Sequence, residues 1–216
     1  PVVLTGAQRP ASAKWPDGPA NLAAAFRVAC DPSAVDQGVL LAFADKIYIG
    51  REATKIHSTA LEAFAGGDIG FVYPDRVVIK GTRQERFCLR WPVGELPAVD
   101  IIPFYSGADG KYFRTALKAG LSGLVVEGLA MGNVNKAYYE GIKKARAAGL
   151  TVVITTRCPY GRVIPFYGYP GGGASLQKLG VVFGGSLSSA KARIFLMIAL
   201  AAGYDTGELQ NLFDSL

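Results

Sequence analysis

The chain has 216 residues, half of them apolar, with 23 Lys and Arg against 17 Asp and Glu and a net charge of +6. That apolar fraction offsets chain entropy and excludes intrinsic disorder, and the length suffices for one large domain or two small ones. No run of about 18 apolar residues exists to make a transmembrane helix, and no membrane partner is expected.

The sequence opens on Pro1-Val2-Val3-Leu4-Thr5, a buried-type strand with no leading loop, which points to residues upstream. Thr5-Gly6-Ala7-Gln8-Arg9-Pro10 then places a Gly turn at the carboxyl end of a parallel strand, where open α/β sheets bind ligands. Asp17-Gly18-Pro19-Ala20-Asn21-Leu22 is a tight turn feeding a helix at Ala20–Ala29, with Pro19 in the first turn and Asp17 as its cap. Val39–Phe43 reads as a strand with an extension at Asp45–Ile49. Directly after it, Gly50–Thr59 (GREATKIHST) packs four ionisable residues and three hydroxyls into ten positions. This is either a charged surface loop or a Lys held near a nucleophile, where a neutral amine or its field assists proton transfer. His57, the only His, has no Asp or Ser partner at a recognisable spacing and reads as structural. Gly70–Val72 and Arg76–Ile79 flank Tyr73-Pro74-Asp75 as a short hairpin. The first unit, residues 1–80, thus holds two core strands and a hairpin, too few for an independent sheet between helices.

Residues 81–98, with Arg83, Arg86, Arg90, Pro92, Gly94 and Pro97, show little periodicity and read as a linker. Beyond it, strands at Val99–Phe104, Gly123–Glu127, Thr151–Thr155 and Val181–Phe183 alternate with helices at Arg114–Ala119 and Ala137–Ala148, then a loop, then a closing helix at Ala190–Ala202. The alternation predicts an α/β fold built of parallel-sheet, three-layer αβα units in two domains, 1–80 and 99–216. Lys143-Lys144-Ala145-Arg146 is the one short basic cluster and reads as a solvated helix face rather than a phosphate patch, so no nucleic-acid partner is expected. Gly168-Tyr169-Pro170-Gly171-Gly172-Gly173 has neither Walker nor G-x-G-x-x-G spacing and reads as a mobile loop with an aromatic latch. Cys30, Cys88 and Cys158 form no C-x-x-C pair, which argues against a disulfide framework or zinc ribbon and fits a reducing, cytoplasmic compartment. A signal peptide removed from an upstream segment would leave no trace.

Taken in order, PVVLTGAQRP (1–10), DGPANL (17–22), GREATKIHST (50–59), GLVVEGLAMGN (123–133), TTRCPYGRV (155–163) and KARIFLMIAL (191–200) resemble the bacterial-type L-asparaginase family, type I/II. The resemblance spans the chain. It implies hydrolysis of L-asparagine to L-aspartate and ammonia through a Thr acyl-enzyme, with no metal or organic cofactor. It makes Lys55 the catalytic Lys, linked to a Thr and an Asp by the logic of a Ser-His-Asp triad. The Ala7 backbone carbonyl receives the substrate amide, with Gln8 beside it. Met131, Tyr167 and Tyr169 match positions around the substrate, some contributed by a neighbouring subunit, so the partners implied are a small amino-acid amide and further copies in a homodimer or homotetramer. The family's two Thr motifs, T-G-G-T-I and H-G-T-D-T, do not occur in the chain. The nucleophile is therefore expected in an upstream segment or second polypeptide, and this chain alone is expected to be inactive.

Two departures bear on substrate. Met131 and Ala130 stand where many relatives have Asn or Arg preceded by Gly, and Tyr167-Gly168-Tyr169 stands where some place a Glu. A glutaminase-asparaginase therefore stays open, as does the asparaginase-like subunit of a tRNA-dependent amidotransferase, which the basic charge mildly favours. A non-catalytic α/β assembly module is the reading if the native chain starts at Pro1.

Overall fold

Short apolar strands punctuated by turns build the first sheet around Val39–Phe43. The computed structural model describes residues 1–80, 88–92 and 94–216 and divides the chain into two units, Pro1–Arg86 and Phe87–Leu216. The first contains β1 (Val2–Leu4), α1 (Gly18–Cys30), β2 (Val39–Phe43), β3 (Lys46–Ile49), β4 (Thr54–Lys55), β5 (Phe64–Ala65), β6 (Asp68–Val72) and β7 (Val77–Ile79). Five of the strands form one sheet in the order β1-β2-β3-β6-β7, and β4 pairs with β5 separately.

Only β1 and β2 run parallel; the remaining pairs of this sheet are antiparallel, so it is mixed. Asp45–Ile49 is accordingly not an extension of β2: the chain reverses at Ala44 and Asp45, and β3 returns as its hairpin partner. Both turn residues have left-handed backbone, φ 48° and 60°, the geometry whose twist suits a two-residue hairpin. Within this chain β1 pairs with β2, and Val2 is 57% and Leu4 52% exposed. The core of the unit lies where α1 sets Ala24, Ala25 and Val28 on Leu40, Ala42, Ile47 and Val72. Burying a Leu, Ile or Val of this kind contributes about 1.5–3 kcal/mol. The β6–β7 hairpin forms over the expected turn, closed by Tyr73 N–H donating to the Arg76 carbonyl at 2.8 Å.

The second unit contains β8 (Val99–Pro103), α2 (Lys111–Lys118), β9 (Gly123–Gly128), α3 (Lys136–Ala147), β10 (Thr151–Thr156), α4 (Gly173–Gln177), β11 (Val182–Phe183), α5 (Ser189–Ala201) and α6 (Thr206–Asp214). Its four strands are all parallel, in the order β11-β10-β9-β8. Alternation along each strand assigns the two faces. Leu124, Val126, Val152 and Ile154 pack with Phe113, Tyr138 and Ile142 of α2 and α3. Val125 and Val153 pack with Leu196, Ala199, Leu209 and Phe213 of α5 and α6. This is the three-layer αβα arrangement, with every core strand residue buried on one side or the other.

Three local readings change. A second closing helix, α6, follows α5, and its start carries a capping box in which Asp205 accepts from Glu208 N–H and the Glu208 carboxylate accepts from Asp205 N–H. The Gly-rich stretch is packed rather than mobile: Gly171, Gly172 and Gly173 are buried, Gly171 N–H donates to Ser175 Oγ at 3.1 Å, and a Cβ on Gly172 would lie 2.5 Å from the Tyr167 carbonyl. Close backbone approach explains these glycines. In the basic cluster Lys143 and Lys144 are exposed, but Ala145 is buried and Arg146 donates to the Leu150 and Leu179 carbonyls at 2.7 and 3.3 Å.

Of the expected linker, residues 81–87 and 93 lie outside the described residues. Its Arg90 stacks 3.7 Å from the Tyr204 ring centroid and meets both Glu208 carboxylate oxygens at 2.9 and 3.0 Å. Among the described residues no helix is long and apolar enough to cross a membrane.

Candidate functional site

The loop that leaves β1 is held at nearly every residue. Thr5 Oγ1 donates to the Ala42 carbonyl at 2.8 Å. Asn21, in the first turns of α1, is 4% exposed, and its amide is fully used: Nδ2 donates to the Gly6 carbonyl and to Asp17 Oδ2, each at 3.0 Å, while Oδ1 accepts Ala44 N–H at 3.0 Å. One buried amide thereby joins the loop, the helix start and the left-handed β2–β3 turn.

Asp17 occupies the N-cap position, yet its side chain makes no capping bond. Pro19, the second helical residue, removes one of the two N–H groups a cap can hold, and the backbone of Asp17, φ −91° and ψ −13°, is helical rather than the extended form a capping side chain needs. The carboxylate turns to the loop instead and accepts Gln8 N–H at 2.9 Å and Arg9 N–H at 2.8 Å. The Gln8 N–H, foremost among these donors and opposed by burial, holds the Asp17 carboxyl below its usual range. Because a trans peptide is planar with its N–H and C=O opposed, gripping the Gln8 N–H fixes the direction of the Ala7 carbonyl on the other side of the same peptide. A backbone acceptor is thus aimed by a carboxylate that never touches it.

The charged segment supplies the second part. Thr54 and Lys55 pair with Ala65 and Phe64 as a two-residue ribbon, and from it Lys55 Nζ donates to Gln8 Oε1 at 2.6 Å. Gln8 Nε2 donates in turn to the Ser58 carbonyl at 2.5 Å. His57 stays out of this arrangement. Its Nδ1 accepts Thr59 N–H at 3.1 Å and Ala60 N–H at 3.0 Å, which leaves the ring proton on Nε2 and gives the His a loop-capping task. At the foot of the loop Lys46 and Glu62 form an ion pair at 2.9 Å. Chemically, the first unit brings together an amine, a fixed backbone carbonyl and a carboxamide between them.

Met131, Tyr167 and Tyr169 belong to the second unit. The bridge between Leu129 and Asn133 closes a tight turn after β9 in which Ala130 has φ 47°, a value that glycine adopts at less cost. The Met131 carbonyl accepts Ile164 N–H at 3.3 Å. The Tyr167 and Tyr169 rings lie 5.7 Å apart and are 41% and 50% exposed. Their carbonyls accept Ala174 and Gly172 N–H at 2.9 and 2.8 Å, so the latch is tied to the packed glycines.

The resemblance named Ala7, Gln8 and Lys55, of which Gln8 and Lys55 are in contact, and it gave no part to Asp17 and Asn21. The available signal was Pro19, which removes one of the two N–H groups an N-cap side chain can hold.

Residues 1–83 match the family described as "Asparaginase, N-terminal", and residues 98–213 match "Glutaminase/Asparaginase C-terminal domain". The chain is 34% identical over 207 residues to "L-asparaginase" of Bacillus licheniformis, covering 94% of this chain and 63% of that one. It is 33% identical to "Probable L-asparaginase periplasmic" of Haemophilus influenzae, over 99% of this chain and 62% of that one. It is 34% identical to "L-asparaginase 2" of Bacillus subtilis, over 99% and 57% respectively. The chain therefore spans about three fifths of the length of these relatives.

Proposed function

The chain belongs to the bacterial-type asparaginase family, and from that premise we propose that it is the greater part of an amidohydrolase converting L-asparagine and water to L-aspartate and ammonia. The observation that carries this reading is the contact between Lys55 Nζ and Gln8 Oε1 at 2.6 Å, which sets an amine beside the peptide whose carbonyl Asp17 aims.

In the proposed reaction a Thr hydroxyl attacks the side-chain amide carbon of the substrate. Lys55 takes the hydroxyl proton and passes it to the amide nitrogen, and the tetrahedral intermediate collapses with loss of ammonia to leave an ester on the Thr. Water then attacks the ester carbon, giving its proton to Lys55, which returns it to the Thr oxygen as aspartate leaves and the hydroxyl is restored. The Ala7 carbonyl accepts an N–H of the substrate amide, so the leaving nitrogen departs from a fixed place. Neither T-G-G-T-I nor H-G-T-D-T occurs in these 216 residues, so the Thr is assigned to a part of the relatives' length that the chain does not span. The 216 residues alone then release no ammonia. No metal or cofactor enters the scheme.

Met131, Tyr167 and Tyr169 are assigned to the substrate contacts that a neighbouring copy contributes, in a homodimer or homotetramer. Glutamine is the second substrate considered, because the family matched by the second unit includes glutaminases by description. The three exposed free thiols, Cys30, Cys88 and Cys158, support a cytoplasmic location. The test is ammonia release from asparagine by the complete protein with Lys55 intact and replaced by Ala: loss on replacement supports the reading, and turnover near the unmodified level rejects it.

A further inference from the structure

We propose that Gln8 is a positioning residue for Lys55 and does not bind the substrate. The inference rests on the functional reading above and deepens it. The chemistry of the two partners fixes the orientation of the carboxamide: the Ser58 carbonyl can only accept, so Nε2 must face it, and Oε1 is left to face Lys55. Both ends of the amide are therefore engaged within the chain. A free substrate-binding carboxamide would present at least one end to the ligand.

The anchoring runs through the backbone as well. Gln8 N–H is held by Asp17 Oδ2 at 2.9 Å and Oδ1 at 3.1 Å, so the residue is pinned at both its main chain and its side-chain tip. Lys55 needs such a restraint. It lies on a two-residue ribbon and is exposed, and a Lys side chain with four rotatable bonds forfeits much entropy when held in one place. Gln8 thus links the loop that aims the Ala7 carbonyl to the loop that carries the amine, and keeps the distance between these two groups set. A neutral carboxamide suits the task, since it accepts an N–H from either the ammonium or the amine, whereas a carboxylate would favour the charged form that cannot act as a base.

The test uses the complete protein and two replacements. Gln8→Met keeps length and leaves the main-chain grip of Asp17 intact but offers no acceptor. Gln8→Asn keeps the carboxamide on a stem one methylene shorter, which cannot reach Lys55 and Ser58 together. Both are assayed for kcat and KM with asparagine, and for Tm. The expected result is a fall in kcat of about 10- to 100-fold for Gln8→Met, the scale of a misplaced catalytic group, with a smaller fall for Gln8→Asn. KM stays within about 2-fold and Tm barely moves. A KM raised about 10-fold with kcat intact would put Gln8 on the substrate and overturn the proposal; unchanged kcat and KM in Gln8→Met would overturn it too. Lys55→Ala measured alongside separates the two ideas. An inactive Lys55→Ala with a fully active Gln8→Met rejects only the role of Gln8, and an active Lys55→Ala rejects the functional reading itself.

Discussion

Replacing Asn21 with Leu tests whether one buried amide organises the loop around Ala7. The two side chains are similar in size, so packing is largely kept and the loss is one of hydrogen bonds. Three disappear: those to the Gly6 carbonyl, to Asp17 Oδ2 and from Ala44 N–H. A typical bond of this kind contributes about 0.5–1.5 kcal/mol, and one to a charged group more. Added apolar burial returns about 1 kcal/mol, which leaves a net loss of about 2–3 kcal/mol. The left-handed Ala44 turn loses the support of the Asn21 side chain at the same time. For a chain of this size each kcal/mol moves Tm by about 2–4 °C, so thermal unfolding followed by circular dichroism should show a fall of about 4–12 °C. In the complete protein kcat should drop as well, because the Gly6–Gln8 backbone is no longer aimed. Asn21→Asp should also lose stability, because it sets a second carboxylate against Asp17. A Tm within about 1 °C of the unmodified protein for Asn21→Leu would refute the argument.

Tyr138 gives a pH signature in the second unit. Its hydroxyl donates to the Pro103 carbonyl at 2.9 Å, and burial pushes its pKa up from 10.0 to about 12. Between those values the folded protein keeps a proton that the unfolded chain has released, so stability present below pH 10 is lost as pH rises, by up to about 3 kcal/mol. Urea midpoints at neutral and strongly alkaline pH should differ less in Tyr138→Phe than in the parent; equal alkaline losses would contradict this. For the aromatic latch, Tyr167→Phe and Tyr169→Phe should raise the KM for asparagine while leaving Tm in place. An unchanged KM in both would reassign the two phenols to packing.

The second unit was legible because its signals are periodic. Strand runs of six residues, such as Gly123–Gly128 and Thr151–Thr156, are buried on both faces of a parallel sheet, and the helices between them carry clear apolar faces. The first unit was less so. Its β2–β3 reversal uses Ala44 and Asp45, with neither the Asn nor the Gly that announces a two-residue hairpin, because Asn21 supports the turn from a distant helix. A contact across 23 positions leaves no local mark. Asp17 misled for a related reason: its residue type and place say cap, but its helical backbone and the N–H groups of Gln8 and Arg9 draw the carboxylate to the loop. The α6 helix could have been read from Asp205 and Glu208, three apart at its start. At the candidate site, the family resemblance pointed to Lys55 and Ala7, but the direction of a peptide carbonyl is set by hydrogen bonds that only a fold can place.

The central claim is that Lys55 serves a hydroxyl nucleophile in amide hydrolysis. Steady-state ammonia release from asparagine by the complete protein, compared with Lys55→Ala at equal Tm, tests it most directly. The account predicts a loss of kcat of about 10²–10⁴-fold, the scale of a missing general base. A Lys55→Ala protein that folds and releases ammonia at near the parent rate would contradict it.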